Sequence, residues 1–319
     1  MPTPPEHDSE AVVEILLGAH NGERYLPAQL DSILAQTCTT WRLTLRDDGS
    51  TDGTLAVAEE YARRFPDRLT VSARPTPSGS AARNFLELMA ASTGRYVMLA
   101  DQDDRWLPDK VAVTLAAMRR LEARLGAGVP ALVHTDLSVA DADLRVVAPS
   151  MVRSQLLDGA ETRLAALVTQ NPVTGCTVMV NRALADLVDP PFDGVAMHDW
   201  WLAVLAAAFG GLGFVDRPTV LYRQHGGNAV GARSARTLRY KVARALDRDG
   251  VVASLRDSYA QAEAFLEHYR DRLTVDQRAL LEAAATMPRR GKLSRLRSLG
   301  RYGLWKNTLI KRVGQVLYG

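Results

Sequence analysis

The sequence predicts an α/β protein built on a mostly parallel sheet. Short apolar runs recur at Val12–His20, Trp41–Leu45, Arg68–Ala73 and Arg95–Ala100. Helical periods separate them, and strands alternating with helices over about 110 residues imply βαβ units. Polar, turn-rich stretches, "AHNG", "RDDGS" and "ADQDD", follow the first, second and fourth runs. All three therefore belong at one sheet edge, beyond the carboxyl ends of the strands, where open α/β sheets bind ligands.

Each element has its own signal. "VVEILLGAH" reads as a buried strand ending at the turn signal "NG". "YLPAQLDSILAQT" sets Leu26, Leu30, Ile33 and Leu34 on one helical face. "WRLTL" is a short strand entering the turn cluster "RDDGSTDGT". "LAVAEEYARRF" is helical, "RLTVSA" a strand, and "SAARNFLELMAAS" a helix capped near Ser80. After the fourth strand come a long helix, "DKVAVTLAAMRRLEARL", and a strand and turn, "ALVHTDLSVAD". "NPVTGCTVMVNRALADLV" reads as strand then helix, and "HDWWLAVLAAAFG" as a helix starting near His198–Asp199. "GFVDRPTVLYRQHGGN" reads as strand, turn, strand and Gly-rich loop, and the chain after Ala232 is mostly helical.

The 319 residues, 47% hydrophobic and 24% charged, suit a soluble globular chain with a large core. No apolar run approaches the ~18–20 residues of a membrane span. Residues 1–10, "MPTPPEHDSE", read as disordered and lack the basic start and apolar centre of a signal peptide. Two cysteines, Cys38 and Cys176, make no disulfide framework or zinc spacing, so a reducing cytoplasm is expected. No GxGxxG follows the first strand, which counts against a dinucleotide-dependent oxidoreductase.

Carboxylates gathered from separate strands at one rim are costly without positive charge, and a divalent cation with a phosphorylated ligand fits. In "DQDD", Asp103 is the candidate ligand for Mn²⁺ or Mg²⁺, with Asp101 beside it holding ribose or helping the metal. The plain alternative is a solvated loop, or Asp103 or Asp104 capping a helix from Leu107. Asp199 in "HDWW" reads as a helix cap or as a general base. His225, before two glycines, can complete a manganese site. Arg83 stands in the first turn of a helix, a place for a bond to phosphate or base, or simply on the surface. Cys176 reads as a small buried residue.

In order, "AHNGERYLPAQLDSILAQT", "RDDGSTDGT", "ARNF", "LADQDDRWLPDK", "TGCTVMVNR", "HDWW" and "YRQHGGN" resemble the blocks of inverting family 2 glycosyltransferases. These have the GT-A fold, a Rossmann-like nucleotide-diphospho-sugar transferase architecture, and the match is closest to the rhamnosyltransferase-like branch. It covers about Val12 to Asn228. The resemblance implies that Ala19, Asn21 and Glu23 line the nucleotide pocket, that Asp48 accepts from the base, and that Arg83 contacts the nucleotide. Asp101 and Asp103 match the DxD motif, with Gln102 between them on the nucleotide-sugar side and Asp103 the direct metal ligand. Asp199 matches the catalytic base, and His225 a residue near metal and diphosphate. The implied organisation is a GT-A domain over 11–232 (a nucleotide-sugar half, 11–110, and an acceptor half, 111–232) and a helical extension over 233–319. The implied donor is dTDP-rhamnose; a UDP-hexose enzyme and an inactive nucleotide-binding scaffold are the alternatives. Processive relatives such as cellulose and hyaluronan synthases carry QxxRW and transmembrane helices. "GNAVGARSARTLRY" has neither, so one sugar per encounter is expected. Family members often carry an aromatic where His20 stands.

The tail differs from the body in charge. From Ala283 onward there are nine Lys and Arg and no Asp or Glu, so a net charge of +3 leaves −6 on the rest. Leu293, Leu296, Leu299, Tyr302, Trp305, Leu309 and Val313 recur at about helical spacing. This composition predicts an interfacial amphipathic helix over 289–319 on an anionic membrane surface; a helix packed on the acidic body is the alternative. A nucleic-acid partner is not expected, because no reading motif is present. The expected place of action is the cytoplasmic face of the membrane, on a surface glycan or lipid-linked acceptor.

Overall fold

The computed structural model describes residues 13–74, 76–190, 193–225 and 248–318. The expected disordered residues 1–10, the boundary at 232 and the "GNAVGARSARTLRY" segment lie outside them.

Four strands form the parallel part of one sheet: β1 (Val13–Ala19), β2 (Trp41–Asp47), β3 (Leu69–Ala73) and β4 (Tyr96–Asp101). Helices α1 (Leu26–Leu34), α2 (Thr54–Arg64) and α3 (Ala81–Ala91) connect them. β1 is apolar apart from Glu14 because both of its faces are covered. Val13, Ile15 and Leu17 enter one core with Leu30 and Ile33 of α1, while Leu16 enters the opposite core with Phe85 and Leu86 of α3. Its one acid, Glu14, accepts from the backbone N–H groups of Thr93 and Gly94 at 3.0 and 2.8 Å. A buried carboxylate needs that compensation. Ser80 caps α3 as expected, accepting from Arg83 N.

The rest of the sheet comprises β5 (Arg105–Trp106), β6 (Ala131–Ala140), β7 (Val146–Ala148), β8 (Val178–Asn181) and β9 (Gly211–Arg223). The order is β3-β2-β1-β4-β8-β6-β9-β5, with β7 beside β6. β8 runs antiparallel to both β4 and β6, and β9 parallel to β6. Where the sequence suggested strand, turn, strand, β9 is one strand: "DRP" is an irregularity at which the register slips from Thr135↔Val215 to Asp136↔Pro218. Asp216 and Arg217 at that slip pair with Arg153 and Asp109.

The helix after β4, α4 (Lys110–Leu125), starts later than Leu107, and neither Asp103 nor Asp104 caps it. Residues 105–106 extend the sheet instead, because Arg105 and Trp106 pair with Leu221 and Val220. Short helices α5 (Met151–Ser154), α6 (Leu164–Thr169) and α7 (Arg182–Ala185) and the long α8 (His198–Phe209) follow.

Four C-terminal helices close the chain: α9 (Arg248–Tyr269), α10 (Val275–Ala285), α11 (Lys292–Tyr302) and α12 (Leu309–Tyr318). The first three share a core with α8. Trp201 meets Phe265 edge-on, ring centroids 5.2 Å apart, and Leu299 and Leu304 join the same cluster. The expected single helix over 289–319 is two, broken at Gly303, whose φ of 68° caps α11 in the left-handed region. The charges divide as well. Arg289 pairs with Glu263, Arg290 and Arg295 bond within the segment, and Lys306 is buried against Ser254.

Because Phe265 is fully buried, Phe265→Ala should cost about 3–5 kcal/mol and lower one cooperative melting transition. An unchanged melting temperature would mean the C-terminal helices are not part of that cooperative core.

Candidate active site

The strand ends meet as the sequence required. Gly18 lies opposite Asp101, and Ala19 opposite Asp47, so the loops after β1, β2 and β4 share one rim. A cavity of roughly 670 Å³ opens there. Ala19, Asp48, Asp101, Gln102 and Asp103 line it from the parallel half; Asn171, Gly175, Asp199 and Tyr222 line it from the other.

Asn21, Glu23 and Arg83 do not line it. Asn21 Oδ1 accepts from Thr51 N at 2.8 Å, its own N–H donates to Ser50 Oγ at 2.8 Å, and Glu23 Oε2 accepts from Gly53 N at 3.0 Å. These residues fasten the loop after β1 to the loop after β2. Asn21 adopts a left-handed backbone, φ 49°, to do so. Arg83 donates to Glu87 at 2.9 Å, one helical turn on, and Glu87 also receives Arg74. The guanidinium expected at the nucleotide is thereby held on its own helix.

Gln102 is a clasp on the cavity wall. Its amide accepts from His20 N and donates to His20 O, both at 2.8 Å. Asp48 is held from the side: its oxygens accept from Ser78 N at 2.8 Å and Ser78 Oγ at 2.7 Å. Ser78, Glu87 and Asn171 carried no motif signal of their own. Only the four-residue spacing of Arg83 and Glu87 was readable in advance.

Asp103 Oδ2 lies 2.7 Å from His225 Nε2, and the imidazole rests against Tyr25, centroids 4.6 Å apart. The two predicted metal residues therefore meet, although they are more than a hundred positions apart. Asp101 is pushed up to about 7, by desolvation first and then by the charges of Asp103 and Asp199. A carboxylate whose pKa is raised by neighbouring negative charge is relieved by a cation. Two carboxylates and an imidazole suit a hard or borderline divalent ion.

A second, unforeseen grouping lies underneath. Ligand atoms of Asp101, Asp104 and Cys176 lie within 4.8 Å of one another. Asp104 and Cys176 are fully buried, and burial raises both pKa values. Lys110, also fully buried, supplies the compensating charge: Asp104 and Cys176 hold its pKa up against desolvation, which draws it down to about 8. Its Nζ sits 4.7 Å from the Trp106 ring centroid. Asp104 Oδ1 accepts from Arg223 N at 3.1 Å, which anchors the strand leading to His225.

Asp199 stands in the first turn of α8, after the N-cap Met197. Oδ1 accepts from Asn171 Nδ2 at 3.0 Å and from Trp200 N at 2.6 Å; Oδ2 accepts from Gly175 N at 2.9 Å. Burial raises its pKa to about 6 against those donors. The carboxylate is oriented, ionised at neutral pH and more basic than an ordinary aspartate.

Residues 14–137 match the sequence model described as Glycosyl transferase family 2. The chain is similar to dTDP-rhamnosyl transferase RfbG of Shigella flexneri: 26% identical over 239 residues, covering 70% of this chain and 77% of the relative. It is also similar to UDP-Glc:alpha-D-GlcNAc-diphosphoundecaprenol beta-1,3-glucosyltransferase WfgD of Escherichia coli. That match is 25% identical over 195 residues, 61% of this chain and 70% of the relative. Among solved structures, S. aureus TarS 1–349 in complex with UDP-GlcNAc superposes with a TM-score of 0.54 at 17% identity, covering 95% of this chain and 90% of that one. That likeness is one of fold.

If Asp101, Asp103 and His225 form the cation site, Mn²⁺ at a hundred times its dissociation constant should stabilise the protein by about 2.7 kcal/mol. Asp103→Asn should abolish that shift in a melting curve. An equal shift in the variant would place the ion elsewhere.

Proposed function

We propose that this chain, a glycosyltransferase of family 2, moves one sugar from a nucleotide-sugar donor to an acceptor hydroxyl with inversion at the anomeric carbon. One observation carries the reading: Asp48, Asp101, Asp103 and Asp199, drawn from distant segments, line a single cavity at the carboxyl edge of the sheet.

In this mechanism the acceptor oxygen attacks the anomeric carbon and its proton passes to Asp199. The bond from that carbon to the diphosphate oxygen breaks on the opposite face, and the electron pair leaves with the nucleoside diphosphate. Asn171, Gly175 N and Trp200 N hold the base in place. One base on one face gives inversion without a covalent sugar intermediate. Asp48 and Ala19 belong to the nucleotide end of the cavity. Asp101, Asp103 and His225 would hold Mn²⁺ or Mg²⁺, which neutralises charge on the departing diphosphate.

The donor proposed is dTDP-rhamnose, supported by the likeness to RfbG; the likeness to WfgD supports a UDP-hexose as the second reading. The acceptor is a surface glycan or a lipid-linked saccharide at the cytoplasmic membrane face. No helix among the described residues is long and apolar enough to cross a membrane.

Asp199→Asn keeps the side-chain size and removes the base, so transfer should fall by about 10²–10⁴-fold with donor affinity unchanged. Loss of donor binding instead would make Asp199 structural. Because Asp199 must be ionised, kcat/KM in the parent should rise with pH through about 6 and then level. Measured from pH 4 to 8, a flat profile would exclude it as the base. The raised pKa also means the folded state binds the extra proton, so Asp199's contribution to stability is full below the ordinary aspartate range and is lost as pH rises through about 6.

A further inference from the structure

Two buried polar side chains on the cavity wall take no part in proton transfer or cation binding. His198, 4% exposed, lines the cavity one position before the candidate base. Among the described residues neither of its ring nitrogens has a hydrogen-bond partner. Asn84 lines the same cavity, is equally buried, and its Oδ1 is likewise unpartnered. Phe85 connects the two: it follows Asn84 on α3, and its ring meets the His198 imidazole with centroids 4.5 Å apart.

Glycines locate this wall at both ends. At one end a Cβ on Gly18 would lie 2.9 Å from Asn84 Nδ2, and Gly18 is the register partner of Asp101. At the other a Cβ on Gly175 would run into His198 Nε2, and the N–H of Gly175 holds Asp199. Asn84, Phe85 and His198 thus span the wall from the candidate cation site to the candidate base. Inversion by in-line attack requires the reacting sugar to lie between those two, the base on one face and the departing diphosphate on the other. Burial draws the imidazole down to about 3, so at neutral pH it offers one N–H donor and one acceptor nitrogen. Asn84 Oδ1 adds an acceptor. Donors and acceptors without charge complement hydroxyl groups rather than phosphate. Buried polar atoms left unpaired are costly, and a site built to bond a substrate hydroxyl has them until the substrate arrives.

We propose that His198 and Asn84 read the hydroxyl groups of the donor sugar. The imidazole exchanges a hydrogen bond with one ring hydroxyl, and Asn84 Oδ1 accepts from another. The pair selects the sugar by where its hydroxyls stand, independently of the nucleotide base. This inference rests on the transferase reading above and adds to it the residues that choose the sugar.

Calorimetric titration of the full chain in Mn²⁺ tests it, with dTDP, dTDP-rhamnose, UDP and UDP-glucose as probes. His198→Phe keeps a ring against Phe85 and removes both nitrogens. It should weaken whichever nucleotide-sugar the parent binds by at least about tenfold. Affinity for the matching nucleoside diphosphate should stay unchanged, and the melting temperature should not fall. His198→Gln keeps a donor and an acceptor and should recover most of the lost affinity. Asn84→Leu should weaken the nucleotide-sugar and spare the diphosphate, and it decides by the same two affinities should His198→Phe not fold. Equal weakening of nucleotide-sugar and diphosphate, with a lower melting temperature, would make the pair structural and overturn the proposal. Unchanged nucleotide-sugar affinity in His198→Phe would overturn the subsite and leave the transferase reading standing. A glutamine variant no better than phenylalanine would overturn hydrogen bonding as the cause. A parent that binds none of the four nucleotides would overturn the transferase reading and this assignment with it.

Discussion

Negative charge crowded at the carboxyl edge of a buried sheet is the constraint from which the rest of this molecule follows. Asp48, Asp101, Asp103, Asp104 and Asp199 reach that edge from three segments of the chain. Two full charges about 5 Å apart repel by roughly 3 kcal/mol at an effective dielectric of 20. The protein answers each in a different way. Asp48 is held by the backbone and hydroxyl of Ser78, and Asp199 by two backbone N–H groups and an amide. Asp104 faces the buried Lys110 and the N–H of Arg223. Asp103 meets the imidazole of His225, and Asp101, whose pKa is raised by desolvation first and then by the charges of Asp103 and Asp199, opens to the cavity beside it.

Holding carboxylates against one another requires a stiff frame, and the loops supply it by bonding to each other. His20 is clasped by Gln102, Asn21 is tied to Ser50 and Thr51, and Glu23 receives Gly53 N–H. The turn-rich stretches after β1 and β2 therefore serve mutual fastening as much as ligand contact. The antiparallel half has a complementary role. β9 ends at Arg223, two residues before His225 meets Asp103, and α8 begins where Gly175 N–H can meet Asp199.

The strands, the helices between them and the chain positions at the cavity were legible because periodicity and turn chemistry are local signals. "DQDD" and "HDWW" were legible because acids placed directly against apolar runs are expensive anywhere else. What escaped the sequence depended on partners that no local pattern names. Glu87 receives Arg74 as well as Arg83, and the Arg74 contact crosses from another element. Lys110 looked like an ordinary first-turn lysine, yet it is fully buried under the acids. Asn21 and Glu23 lie beside the cavity in sequence but spend their polar atoms on the neighbouring loop. The tail's helical spacing was real, but spacing alone does not register the left-handed turn at Gly303.

That turn changes what the tail can do. One straight helix over 289–319 would place every apolar residue on one line, either all on the body or all off it. Breaking at Gly303 separates the two fates. Leu299 and Leu304 enter the core shared with α8 and α9, so burial as well as the Arg289–Glu263 pair binds the tail to the body. Leu309, Val313 and Leu317, beyond the break, are left facing outward. Lys306, buried at the joint with its pKa drawn down to about 8, sits between the packed part and the exposed part. The exposed stripe is therefore carried on a segment fixed to the body, since Trp305 is packed against the core and borders a groove beside the stripe.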